Sequence, residues 1–170
     1  MKKIVCISVF FFLLNVLTYA QTPNWQWAKS GKGSGQDYGT SICTDADGNC
    51  FATGYFHSPD IIFSDDTLIN ASGPNHFYLV KYNSSGNLQW AKTAECQSAS
   101  YGTCVKTDNN GNCYVTGWWG NSETIVFGSD TLTGAPTSNH IFIVKYSSAG
   151  NVLWAKSASG KFNYDAYMAE

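Results

Sequence analysis

Two short segments rich in acids and amides carry the first chemistry in this sequence. Asp45-Ala46-Asp47-Gly48-Asn49 and Asp108-Asn109-Asn110-Gly111-Asn112 set side-chain oxygens at alternating positions. Asp45, Asp47 and Asn49, and Asp108, Asn110 and Asn112, are spaced as in loops that wrap calcium. Such a loop also needs a bidentate acid at its twelfth position, where this chain has Phe56 and Trp119. Asx and glycine residues are also what a tight hairpin requires on backbone grounds. The segments therefore read first as turns and second as calcium sites, and calcium is the one cofactor retained as a candidate.

His76 and His140 each follow an asparagine and precede an apolar run. Repeated around a ring, they would present imidazoles able to hold a metal or a ligand; the alternative is a structural hydrogen-bond partner at a strand start. Tyr55-Phe56 and Trp118-Trp119 are adjacent aromatics. Successive strand side chains point to opposite faces, so one of each pair is expected to pack while the other reaches the rim. Exposed rings there suit a glycan or a protein ligand. Five cysteines lie beyond residue 20. If residues 45 to 48 form a four-residue turn, Cys43 faces Cys50, and a bridge would contribute roughly 2.5 kcal/mol in the chain-entropy model. The alternative is that the cysteines are small buried apolar residues.

The elements that must position these residues come from a repeat. Trp27-Ala28-Lys29 returns at Trp90-Ala91-Lys92 and Trp154-Ala155-Lys156, steps of 63 and 64 residues. Tyr38-Gly39-Thr40 returns as Tyr101-Gly102-Thr103, and Val80-Lys81-Tyr82 as Val144-Lys145-Tyr146. A long fixed period marks an array of supersecondary units. Inside each unit the pattern predicts a hairpin over 39–56 or 102–119, then a short β excursion through Ile61-Ile62-Phe63 and Thr67-Leu68-Ile69 or their counterparts. A second hairpin follows over 77–93 or 141–157, and its first run, Phe77 to Tyr82, suits a strand buried on both faces. Four antiparallel strands per unit, apolar on both faces, make the fold class all-β with β-propeller-type blades.

The expected layout is a signal peptide at 1–20, an orphan outer strand at 21–30, blade repeats at 31–93 and 94–157, and the start of a third repeat at 158–170. The first segment has Lys2 and Lys3, an apolar stretch to Leu17 and small residues before Gln21, which implies export and no membrane span after cleavage. Its removal takes the net charge from −2 to −4, and no basic cluster speaks for nucleic acid or an anionic membrane. Two units do not close a ring that takes four to eight. The expectation is a truncated piece whose partners are its missing blades; the rival is assembly with copies of itself.

Tyr38-Gly39-Thr40-Ser41-Ile42, Asp47 to Tyr55, Phe77 to Tyr82 and Ser85 to Lys92 together resemble the bacterial secreted seven-bladed propeller repeats called SBBP-type. The likeness covers residues 24 to 170, and the second unit matches as closely. In that family an acidic residue often precedes the third strand, where this chain has His76 and His140. The resemblance implies an exported or cell-surface protein and supplies no single enzymatic activity. Gly86 and Gly150 stand four residues before Trp90 and Trp154, which departs from the sialidase-type turn and matches quinoprotein turns only in that step. No recognisable nucleophile–base spacing, zinc-protease motif or phosphate loop is present. The leading expectation is a non-catalytic extracellular binding or scaffold module. The alternative is a blade fragment of a secreted carbohydrate-active enzyme with its catalytic residues elsewhere.

Overall fold

In each of two units, a strand run rich in β-branched and aromatic residues is cut by Asx-Gly turns into a four-stranded meander. The computed structural model describes residues 24–70, 74–120 and 124–158. The expected signal segment and residues 159–170 of the expected third repeat lie outside the described residues. The first blade consists of β2 (Asp37–Thr44), β3 (Cys50–Phe56), β6 (His76–Tyr82) and β7 (Leu88–Thr93), adjacent in that order and antiparallel. The second consists of β9 (Ser100–Thr107), β10 (Cys113–Gly120), β13 (Asn139–Tyr146) and β14 (Val152–Ser157), adjacent in the same way.

The β excursion of each unit is a hairpin, β4 (Asp60–Phe63) with β5 (Asp66–Ile69) and β11 (Thr124–Phe127) with β12 (Asp130–Thr133). Each takes a third strand that the sequence pattern does not announce. β1 (Lys32–Gly33) pairs with β4, and β8 (Glu95–Cys96) pairs with β11. These two-residue strands lie upstream of their blade, so each satellite sheet ties the entry of a unit to its middle.

A β-bulge interrupts the inner pair of both blades at the same place. Thr40 has no partner between Gly39 and Ser41, and the register of β9 against β10 likewise shifts between Thr116 and Gly117, passing over Thr103. Bulges bend a strand and sharpen its twist. The hydroxyl of the bulged Thr103 donates locally to Thr116 O (3.0 Å), whereas that of Thr40 lies between Thr53 O (3.1 Å) and Gly102 O of the second blade (2.7 Å).

The blades pack face to face around one apolar layer. Phe51, Phe77, Leu79 and Trp90 from the first blade meet Val105, Val115, Phe142, Val144 and Tyr146 from the second, with Ile125 and Phe127 of the second satellite among them. Phe77, Phe127 and Phe142 form a triangle with ring centroids 4.8 to 6.0 Å apart. Each buried phenylalanine contributes about 1.5–3 kcal/mol by burial alone, and each aromatic pair adds about 0.5–1.5 kcal/mol. A separate cluster covers the other face of the first blade: Tyr78, Val80 and Tyr82 lie under Ile61, Phe63 and Leu68 of its satellite, with Trp27 packed against them. Every residue of β6 is accordingly buried, as its continuous apolar pattern predicts.

Candidate functional site

Tyr55 and Trp118, on the central strands β3 and β10, belong to a row of rings that crosses from blade to blade. Tyr38 stacks on Tyr55 (centroids 5.0 Å), Tyr55 meets Tyr101 edge-on (4.7 Å), and Tyr101 stacks on Trp118 (4.0 Å). The pairing register explains the row. Tyr38 is the cross-strand partner of Tyr55, and Tyr101 of Trp118, while the face-to-face packing of the blades brings the two pairs together. Asn75 Nδ2 donates to the Tyr101 hydroxyl at 2.7 Å and fixes the middle of the row. Burial and its tyrosine neighbours push the Tyr55 hydroxyl up from its ordinary value. Tyr38 and Tyr101 were legible as recurring positions but not as partners of the rim aromatics, because that partnership depends on register.

The other member of each aromatic pair lies inside. Phe56 and Trp119 are fully buried, so they are packing residues and not ligand contacts. The histidines lie with them: the His76 ring is 6.2 Å from Phe56, and the His140 ring 4.9 Å from Trp119. Both imidazoles are buried, which removes the expected accessible ring of histidines. His140 Nε2 is 2.9 Å from Ala135 O, and burial pushes the His76 pKa down. Trp119 Nε1 is a buried N–H without a hydrogen-bond partner among the described residues.

The two acidic loops are built as Asx turns. Asp45 Oδ1 accepts from the backbone N–H groups of Asp47 (3.1 Å) and Asn49 (2.9 Å), and its Oδ2 accepts from Asn49 Nδ2 (2.8 Å). Asp108 repeats this with Asn110 N and Asn112 N at 3.0 Å, and also pairs with Lys145 Nζ at 3.0 Å. These hydrogen bonds hold the Asp108 carboxyl well below the usual carboxylate range, led by the Asn112 amide. The loop geometry thus turns the first and fifth residues toward each other. Among the described residues, no group of three or more His, Cys, Asp or Glu side chains is arranged to hold a metal ion.

The cysteine expectation is corrected by one residue of register. Asp45 N donates to Asn49 O (3.0 Å), so the turn holds five residues and Thr44, not Cys43, faces Cys50. Cys43 faces Phe51 instead. The shift puts Cys43 and Cys50 on opposite faces of the sheet: Cys43 packs in the inter-blade core and Cys50 under the first satellite. Cys43 and Cys50 are both free thiols. Desolvation pushes the thiols of Cys43 to about 11 and Cys113 to about 12, so neither is a ready nucleophile.

One tie escaped the sequence reading. The Ser58 hydroxyl is fully buried, donates to Asp37 at 2.9 Å and accepts from Gly35 N at 2.8 Å. It anchors the start of β2 to the chain leaving β3.

No known protein-family model matches the chain. It is similar to the uncharacterized WD repeat-containing protein L264 of Acanthamoeba polyphaga mimivirus, with 30% identity over 155 residues. The match covers 82% of this chain and 11% of that protein, so the chain spans about a tenth of the length of the curated relative it matches. The likeness and the two meander sheets together give a β-propeller-like repeat fold.

Proposed function

We propose that this chain is part of an exported, SBBP-type propeller array whose blades act as a non-catalytic binding or scaffold module for an extracellular protein or glycan. The aromatic row Tyr38–Tyr55–Tyr101–Trp118 is its contact surface. The single observation that carries this reading is the continuity of the row across the blade boundary, with Tyr38 at its end 47% exposed. Rings fixed by their neighbours lose little entropy on binding, which suits a recognition surface. The relative named as a WD repeat protein supports an interaction role in general terms. Export rests on the character of residues 1–20, and no helix among the described residues is long and apolar enough to cross a membrane.

Arrays of glycans and of extracellular proteins probed with the chain test this reading. The expected result is a ligand whose binding drops at least about tenfold in both Tyr38→Ala and Trp118→Ala. Silence across both arrays, or binding indifferent to both substitutions, would overturn it.

A further inference from the structure

The chain makes one interface with itself, and both halves of it recur among the described residues: the presenting half on a less covered face of the second blade, the receiving half on the first blade under Trp27. Inside the molecule, one face of the first blade presents Phe51, Thr53, Phe77, Leu79, Lys81 and Trp90 to the second blade. One repeat later the same places hold Tyr114, Thr116, Ile141, Ile143, Lys145 and Trp154. These lie on the second blade's outward face, where Tyr114, Thr116, Ile141, Lys145 and Trp154 are half-buried and Ile143 is exposed. At the other end, Ile42 of the first blade occupies the place of Val105, which the internal interface covers completely.

The internal interface also has a seat. Trp90 stacks on Tyr146 (centroids 6.4 Å), its indole donates to Ser148 O (3.2 Å), and a Cβ on Gly150 would come within 2.9 Å of its ring. The first blade has the same seat, and Trp27 fills it. Its ring meets Tyr82 at 5.9 Å, its indole donates to Ser84 O at 3.0 Å, and a Cβ on Gly86 would lie 2.6 Å from it. Gly86 and Gly150 have φ of +78° and +81°, so the turn that forms the seat itself selects glycine.

We propose that the outward face of the second blade binds the first blade of a second copy of this chain, in the register of the internal interface. Trp154 of one copy then takes the Gly86 seat of the other, and Trp27 is the plug that competes for it. Continuity with the internal interface identifies the occupant, since the receiving face with Ile42, Tyr82 and Gly86 is the counterpart of one this sequence already packs. Lys145 fits the same scheme. In the single chain it folds back onto Tyr114 (2.7 Å) and Asp108 (3.0 Å), whereas its counterpart Lys81 reaches across to Ser148 O (3.0 Å). Docking moves Lys145 from its own loop to Ser84 O of the next copy. The contact is heterologous, so it propagates into a ring if the rotation closes and into a filament if it does not. This proposal goes beyond the ligand role of the aromatic row and stands independently of it.

Sedimentation velocity on the chain tests it. Trp27→Ala is expected to raise the association constant at least about tenfold over the unsubstituted chain by emptying the seat. In that background, Ile42→Glu and Ile143→Glu each spoil one half of the interface at an exposed position, so each alone is expected to be monomeric. Mixed in equal amounts they retain one intact pair of faces and are expected to form a dimer that grows no further. Circular dichroism confirms that the variants keep the β signature. A mixture that stays monomeric, or either glutamate variant associating as strongly as Trp27→Ala, would overturn the proposal.

Discussion

At matched positions the two blades cover their faces unequally. Leu79 of the first blade is fully buried and Ile143 of the second is 36% exposed, whereas Ile42 of the first is 70% exposed and Val105 of the second fully buried. The local sequence hardly distinguishes these pairs, so neighbours and not residue type decide the burial. β6 is buried at every residue, while β13 alternates, with Ile141, Ile143 and Lys145 on the less covered side. A blade therefore carries two apolar faces as part of its plan, and its stability depends on how many are covered. Hydrogen bonds follow the same rule. Thr40 Oγ1 reaches Gly102 O across the interface at 2.7 Å, while its counterpart Thr103 bonds within its own blade, to Thr116.

The contrast is broken most strongly at the shared interface. Phe77→Ala removes a ring packed on both Phe127 and Phe142 and is expected to cost about 3–5 kcal/mol in urea unfolding. Ile141→Ala, at the same place on the open face, is expected to cost less than about 1 kcal/mol. Comparable losses would mean that the outward face of the second blade is covered in the monomer. The tryptophan seats give a smaller difference. Gly150→Ala and Gly86→Ala both force a side chain into the left-handed region, at about 1–2 kcal/mol. Gly150→Ala also displaces the buried Trp90, so it is expected to be the more destabilising, whereas Gly86→Ala is expected mainly to release Trp27 and shift tryptophan fluorescence to the red.

A pH series sharpens the comparison at the histidine level. Burial lowers the folded pKa of His76 below its unfolded value of about 6.5, so the unfolded chain takes up the proton more readily. The stability this neutral imidazole supports is fully present above about pH 6.5 and is lost as pH falls through that value toward the folded pKa. Melting temperature is expected to fall between pH 7.5 and 5.5, and His76→Gln is expected to flatten that slope. An unchanged slope in the variant would place the titration elsewhere.

Much of the fold was legible because the repeat speaks twice. Strand positions, the middle hairpin and the alignment of Trp27 with Trp90 all follow from periodicity and turn residues that recur one unit later. What stayed hidden depends on single-residue register. Lys32-Gly33 and Glu95-Cys96 are too short to show an alternating pattern, so the satellite strands are invisible without their partners. The five-residue Asx turn moved Cys43 off Cys50, and the bulge at Thr40 cannot be read from composition. Residues 24–30, the described part of the expected orphan outer strand, form no ladder, and Trp27 is anchored through its seat. For the candidate site, Tyr55 and Trp118 were separable from Phe56 and Trp119 by strand alternation in principle. Which member faces inward, and that Tyr38 and Tyr101 join the row, required the pairing of the strands.

Native-state hydrogen exchange, at a concentration where the chain is monomeric, tests the central claim most directly. β6 and β13 are each the third strand of a four-stranded sheet, so both have hydrogen-bonded neighbours on either side, and protection differs through what covers their faces. Slower exchange along His76–Tyr82 than along Asn139–Tyr146 is the predicted result. Equal protection in the two strands, or stronger protection in the second blade, would contradict blades stabilised by the covering of both faces.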